Sequence, residues 1–235
     1  LLVLLLGCGR SPQEHFNKGV AYFKENKFAA AGNHFQAALA GSPPTAQALN
    51  FLGVCQLHEG KLDEASRSFE QALQLDSAHV AARYNAALAH LEQGHNEDAL
   101  SYLRQLTQAT SCPPDTHYYL GLAYLRVSAW KQARQAFEKA GETETSSDLF
   151  NYLGIVNTRL GDFKQAKQDF GQSIKSAPKF APAVLNLAIL EHHHLNQKQA
   201  AVALYQQYLD LLPKSQQRED VRLTLVQLRD ELTQH

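Results

Sequence analysis

Three consecutive histidines, His192-His193-His194, are the first residues of this 235-residue chain that could hold a metal. Successive residues of a helix point about 100° apart, so three in a row cannot converge on one ion. A helical ligand pair needs its second donor three or four positions away. Four residues from His192 lie Ala188 and Asn196, neither a useful ligand, and Glu191 with His194 is the one pair at the right spacing. Two ligands hold a metal weakly, so neither a metal nor a cofactor is expected. The acidic pairs Asp63-Glu64 and Glu97-Asp98 open helical segments, where carboxylates favour the helix dipole. No Gly-x-Ser-x-Gly, His-Glu-x-x-His or Cys-x-x-Cys occurs, and Gly53 to Gly60-Lys61 has the wrong spacing for a phosphate loop. No catalytic residue and no small-molecule substrate are expected. Cys55 stands at an apolar helical position and reads as a small hydrophobe, and a disulfide to the distant Cys112 is not expected.

Composition narrows the choice further. Twenty-two basic and 23 acidic residues leave a net charge of −1, which excludes a basic grip on nucleic acid or polybasic membrane binding as the main activity. An apolar fraction of 44% is ample for a core and too high for a disordered tail. Three scattered cysteines are too few for a disulfide framework.

The positions that organise the chain recur. Gly19, Gly53, Ala87, Gly121, Gly154 and Ala188 are separated by 34, 34, 34, 33 and 34 residues. Twelve residues beyond each stands an alanine: Ala31, Ala65, Ala99, Ala133, Ala166 and Ala200. Four further on comes Phe35, Phe69, Leu103, Phe137, Phe170 or Leu204. The next small position holds Ala38, Ala72, Ala140 and Ser173, with Leu106 and Gln207 departing from it. Polar or glycine turns such as Glu25-Asn26-Lys27, Glu59-Gly60-Lys61, Gln93-Gly94-His95 and Leu160-Gly161-Asp162 break each unit into two amphipathic stretches. Stretches of about 13 residues are marginal as lone helices and must be stabilised by packing. Small residues let two backbones approach, and the large apolar residue fills the space that remains.

This order of small and large positions resembles the tetratricopeptide repeat. The resemblance covers residues 12–214 in six units, about 12–45, 46–79, 80–113, 114–146, 147–180 and 181–214. It implies an all-α fold, a right-handed superhelical solenoid of six helix pairs in which each unit touches its neighbours. Glu219 to Leu232 alternates apolar and charged residues at helical spacing, so 215–235 is expected to form a capping helix. Unit 3 has a long end, Thr107–Pro114, and unit 4 is one residue short.

In such a solenoid the first helix of each pair lines a concave groove. The register then places Asn17, Asn50, Phe51, Tyr84, Asn85, Tyr118, Tyr119, Asn151, Tyr152 and Asn186 in that groove. Val54, Leu88, Leu122 and Ile155 form its floor, with His58, Arg126, Arg159 and His193 further along. An amide offers a donor and an acceptor to the backbone of an extended peptide, and tyrosine gives rigid area with a polar tip. The same residue types also occur as ordinary occupants of a half-exposed helix face. A lysine–asparagine–arginine clamp for C-terminal carboxylates is absent, Arg126 and Arg159 being the nearest approach.

At the other end, LLVLLL runs from Leu1 to Leu6 and stops at Gly7-Cys8-Gly9. Leu5-Leu6-Gly7-Cys8 resembles a bacterial lipobox, which implies that 1–7 end a truncated signal peptide, that Cys8 carries lipid, and that 8–11 form a short tether. Two or three acyl chains, at about 0.8 kcal/mol per buried methylene, anchor a protein durably. Gly9 resembles the sorting pattern of the outer membrane, facing the periplasm. The expected function is a lipid-anchored, non-catalytic scaffold that binds a protein or peptide partner in its groove. Six repeats behind a lipobox resemble lipoproteins that assist pilus secretin assembly or organise cell-wall enzymes. An architectural subunit that self-associates, or an accessory subunit of an enzyme complex, remains the alternative.

Overall fold

Several helices begin where a short polar side chain can serve the backbone. The computed structural model describes residues 10–143, 145–212 and 217–233, so the apolar leader and Cys8 lie outside the described residues. Among the described residues the chain is helical throughout, with no strand. The helix pairs are α1 (Pro12–Lys24) with α2 (Phe28–Gly41), α3 (Ala46–His58) with α4 (Leu62–Leu75), and α5 (Val80–Gln93) with α6 (Asn96–Thr107). They continue as α7 (Thr116–Arg126) with α8 (Trp130–Gly141), α9 (Ser147–Leu160) with α10 (Phe163–Ser176), and α11 (Ala181–His193) with α12 (Lys198–Leu211), before α13 (Gln217–Thr233). No described helix is long and apolar enough to cross a membrane.

Caps set the starts of several first helices. The Ser11 hydroxyl accepts from the Glu14 amide at 3.2 Å, and the Glu14 carboxylate accepts from the Ser11 amide at 2.7 Å, a reciprocal capping box ahead of Pro12. Thr45 and Ser146 cap α3 and α9 in the same sense, each accepting at 3.2 Å from the amide three residues on. Between the helices of each pair the chain reverses through one residue of positive φ. These are Asn26, Gly60, Gly94, Ser128, Gly161 and Asn196, with φ between 51° and 80°. Glycine adopts this conformation without a Cβ clash, and asparagine tolerates it. The turns close with a backbone bond such as Lys61 N–H to Gln56 O at 2.9 Å, or His95 N–H to His90 O at 2.8 Å.

The chain divides into two compact units, Leu1–Tyr119 and Leu120–His235. In the first, a Cβ added to Gly19 or Gly53 would lie 2.7 or 2.5 Å from the ring of Phe35 or Phe69. In the second, the same 2.5 Å separates Gly121 from Phe137 and Gly154 from Phe170. All four rings are buried. The third pair uses the complementary solution: Ala87 and Leu103, both fully buried, replace glycine and phenylalanine by a methyl and a smaller side chain. The small positions Ala31, Ala65, Ala99, Ala133 and Ala166 are all at 0% exposure, where any larger side chain would push two helices apart.

The sixth pair departs from the expected register. Ala200 is exposed, and Leu204 and Gln207 are only partly buried. The buried residues are instead Ala201, Tyr205 and Tyr208, one position later. An extra residue in the turn causes the shift: Asn196, the residue of positive φ, stands 35 positions after Gly161. The backbone absorbs it through a wider loop, with Gln197 N–H reaching Glu191 O at 2.8 Å. Against this pair, Val221, Leu225 and Leu228 of α13 pack with Ala181, Val184, Ala188, Tyr205, Tyr208 and Leu209. Cys55 is fully buried and free, its thiol pushed up to about 11 by burial and by the Glu59 charge; Cys112 is free and exposed.

The glycine–phenylalanine fit makes Gly53→Ala destabilising by about 1–3 kcal/mol, despite alanine's better helix propensity of about 1 kcal/mol. Adding Phe69→Leu, which copies the third pair, should restore part of the loss in thermal or urea unfolding. If the two changes cost as much together as the sum of their separate effects, the ring is not what demands glycine.

Candidate functional site

The first helices carry side chains that meet from one repeat to the next. At four steps the residue three before the small position of one repeat contacts the residue two before it in the following repeat. In the first unit Phe16 meets Phe51 edge to face at 6.1 Å, and Tyr84 meets Tyr119 the same way at 5.9 Å. Between them, Asn85 Nδ2 donates to Asn50 Oδ1 at 2.9 Å. In the second unit Asn186 Nδ2 donates to Asn151 Oδ1, also at 2.9 Å. At each of these steps like pairs with like: ring on ring, amide on amide. Asn50 and Asn151 are buried, at 8% and 5% exposure, while Asn85 and Asn186 are half-buried.

The remaining candidates are more varied in placement. Asn17 is exposed and accepts from Gln13 Nε2 of its own helix at 3.0 Å. Phe51 stacks on the buried Phe35 at 5.2 Å, and Tyr152 on the buried Phe137 at 5.5 Å, so each ring is shared between core and surface. Tyr118 lies against Tyr119 at 5.5 Å. Burial pushes the Tyr84 phenol well above its ordinary value, with the neighbouring Tyr119 and Asp115 acting in the same direction. Val54, Leu88, Leu122 and Ile155 are half-buried. His58 is exposed and stacks on Phe28 at 3.6 Å, while exposed Arg159 lies 5.8 Å from the Trp130 ring. Exposed His193 stacks on His192 at 4.1 Å, and Arg126 is exposed in the last turn of α7. Basic residues in a last turn suit the helix dipole whether or not a partner binds.

The amides therefore do two jobs. One donor and one acceptor of each pair join adjacent helices, and each pair keeps a further donor and acceptor capacity.

A second polar row was missed from sequence. Three residues after each small position stand Tyr22, Gln56, His90, Tyr124, Asn157 and Glu191, polar in every repeat although four of them are buried and the two tyrosines half-buried. Gln56 accepts from the Ser68 hydroxyl at 2.7 Å, and Asn157 Nδ2 donates to Asp169 at 2.7 Å. Tyr22 stacks on His34 at 5.4 Å and His90 on Tyr102 at 5.6 Å. Glu191, only 2% exposed, takes a salt bridge from Lys167 at 2.7 Å. Aligning the repeats shows this column. What it cannot show is which partner a member meets: Gln56, His90 and Asn157 meet the second helix of their own pair, whereas Glu191 meets Lys167 of the preceding pair.

A tetratricopeptide repeat model matches residues 16–80 and 154–215, and a second model of that repeat matches 57–111. The chain belongs to the tetratricopeptide repeat family. Solved structures share the fold at low identity. A tetratricopeptide repeat protein from Parabacteroides merdae superposes with a TM-score of 0.75 at 22% identity, covering 95% of this chain and 88% of that one. The pilF protein of Pseudomonas aeruginosa gives 0.72 at 20% identity, over 91% of this chain and 97% of its own. YrrB, described as a repeat protein with an unusual peptide-binding site, gives 0.69 at 18% identity over 80% and 97%. Family membership carries the coarse function of a protein–protein interaction scaffold. In these terms, the paired asparagines and tyrosines occupy the first-helix face of the tetratricopeptide repeats and are built into the contacts between them.

Asn50→Ala and Asn85→Ala should each lower stability, and the double variant should cost less than their sum by about 0.5–1.5 kcal/mol, the worth of one net hydrogen bond. Strict additivity in a double-mutant cycle would mean that the amide pair contributes nothing as a pair.

Proposed function

We propose that this chain is a scaffold that holds a partner peptide or helix against its first-helix face, tethered to a bacterial envelope membrane through lipid on Cys8. The observation that carries the binding role is the strip of half-buried aromatic and amide side chains along the first helices: Phe51, Tyr84, Asn85 and Tyr119 in one unit, Tyr152 and Asn186 in the other. Rings held on two sides by neighbours lose little further entropy when a partner covers the third, a property of binding hot spots. Amides whose inward groups are already satisfied offer their outward ones to a peptide backbone without regard to its side chains. The peptide-binding site ascribed to YrrB, a protein of the same fold, supports this class of partner. The lipobox resemblance of Leu5-Leu6-Gly7-Cys8 supports the anchor. Together these features favour assembly of an envelope complex, in the manner of secretin-assembly or cell-wall scaffolds. No catalytic step is assigned to the chain.

The face is tested with substitutions at exposed positions, which spare the ladder: Asn17→Ala, His58→Ala, Arg126→Glu and Arg159→Glu combined. Once circular dichroism shows equal helicity, wild-type protein should capture an envelope partner that the variant captures at least about tenfold less. Equal capture by both places recognition elsewhere and overturns the reading.

The anchor has a separate test. Cys8→Ser in the full-length precursor should move the protein from the membrane to the soluble fraction. Retention in the membrane by the serine variant would sink the lipid assignment.

A further inference from the structure

The turn between α5 and α6 gathers three metal-ligating side chains that no single helix could. Gly94, at φ 79°, reverses the chain, and the His95 amide bonds back to the His90 carbonyl at 2.8 Å. This folds His95 over His90, ring centroids 5.8 Å apart, and brings Asp98 in from the first turn of α6. One ligand atom from each of His90, His95 and Asp98 lies within 4.8 Å of the others. Among groups of three or more such residues in the described chain, this is the one that converges.

His90 gives the cluster its significance. The residue is 6% exposed, yet neither ring nitrogen has a hydrogen-bond partner. In other repeats its counterparts are engaged by a side chain of the second helix: Gln56 accepts from the Ser68 hydroxyl, and Asn157 Nδ2 donates to Asp169. At the equivalent place His90 has Tyr102, which stacks on its face at 5.6 Å and 14° and holds the ring without taking its nitrogens. A buried imidazole with unmet nitrogens is destabilising unless something else supplies the partner. The Glu70 carboxylate approaches Nε2 at 3.4 Å, outside hydrogen-bonding geometry but close enough to add negative charge beside the ring. Asp98 and Glu70 bring two carboxylates near the rings, and the Arg83 guanidinium, which like them acts on the neighbouring Tyr102, offsets part of that charge.

We propose that His90, His95 and Asp98 bind a divalent transition metal ion, zinc being the best match. Two imidazoles and a carboxylate suit a borderline ion such as zinc, with ligand bonds of about 2.0–2.2 Å and donors therefore about 3.4 Å apart. His95 and Asp98 are exposed, so they close by side-chain rotation, while the buried ring of His90 stays where Tyr102 holds it. Three protein ligands leave one position open at the surface. The ion would pin the α5–α6 turn by joining a residue of the first helix to one of the second.

The expectation that the chain holds no metal considered donors three or four apart on one helix. His90 stands five and eight positions before His95 and Asp98, outside that spacing, and meets them only because the turn folds back.

The test is a titration of the full chain, first stripped of metal, with cobalt(II) and then zinc. One cobalt per chain should bind with the visible absorption of a tetrahedral site, displaced by zinc, and zinc should raise the melting temperature. Asp98→Asn and the pair His95→Ala/Asp98→Ala alter exposed side chains and should weaken binding by about 100-fold or more. His193→Ala/His194→Ala should leave it unchanged. The assignment fails if wild type shows no saturable site, if the Asp98 and His95 variants bind as wild type does, or if the His193 variant is the one that loses the ion.

Discussion

A phenylalanine ring resting on bare backbone is the contact on which the rest of the molecule depends. Four first helices present glycine to the ring of their own second helix at distances that leave no space for a methyl group. That fit sets how closely the two helices of a pair approach. Interhelical distance then decides which side chains of the next pair can be reached, so the rings of Phe51 and Tyr152 come to lie on Phe35 and Phe137. Packing at interior density tolerates little change in volume, which is why the third pair changes both partners at once, to Ala87 and Leu103.

Fixed spacing has a polar consequence. Side chains three and two positions before the small residue are brought into register between adjacent repeats, and they meet in matched chemical kinds. A buried amide facing a ring would leave its donor unmet, whereas an amide facing an amide supplies the donor and acceptor of one bond. The inward row follows the same logic, with Gln56 on Ser68, Asn157 on Asp169 and Glu191 on Lys167. Asn157 and Glu191 each keep one unmet oxygen, while His90 has both ring nitrogens left over, and it stands beside two carboxylates and a second histidine.

The face offered to a partner is thus also a seam of the fold. Removing one of its amides or rings disturbs the contact between repeats as well as any contact with a ligand. Exposed positions flanking the seam separate the two roles, because replacing them leaves the amide and ring pairs between repeats in place, although His58 itself stacks on Phe28 and Arg159 lies over Trp130.

Much of this was legible in the residues. A period of 34, alanine twelve after each small position and an aromatic four beyond it specify helix pairs, because volume constraints between helices are local and repeat with the chain. The candidate face followed from helical geometry, which fixes direction once register is known. Register itself failed in the sixth pair, where the extra turn residue moved burial from Ala200 and Leu204 to Ala201 and Tyr205. Spacing along a chain does not reveal which side of a turn absorbs an insertion; only the competing burial of two alternatives does. Pairings across repeats were equally out of reach, since Asn50 and Asn85 are 35 residues apart and meet through the packing of two helices. So too was the convergence of His90, His95 and Asp98, which needs the positive φ of Gly94 to fold the chain back on itself. The sequence by itself determined the repeat, its small and large positions and the helices they build. Tertiary structure decided which polar groups meet, because hydrogen bonding and metal ligation act over distances of about 2–3 Å that only the completed packing sets.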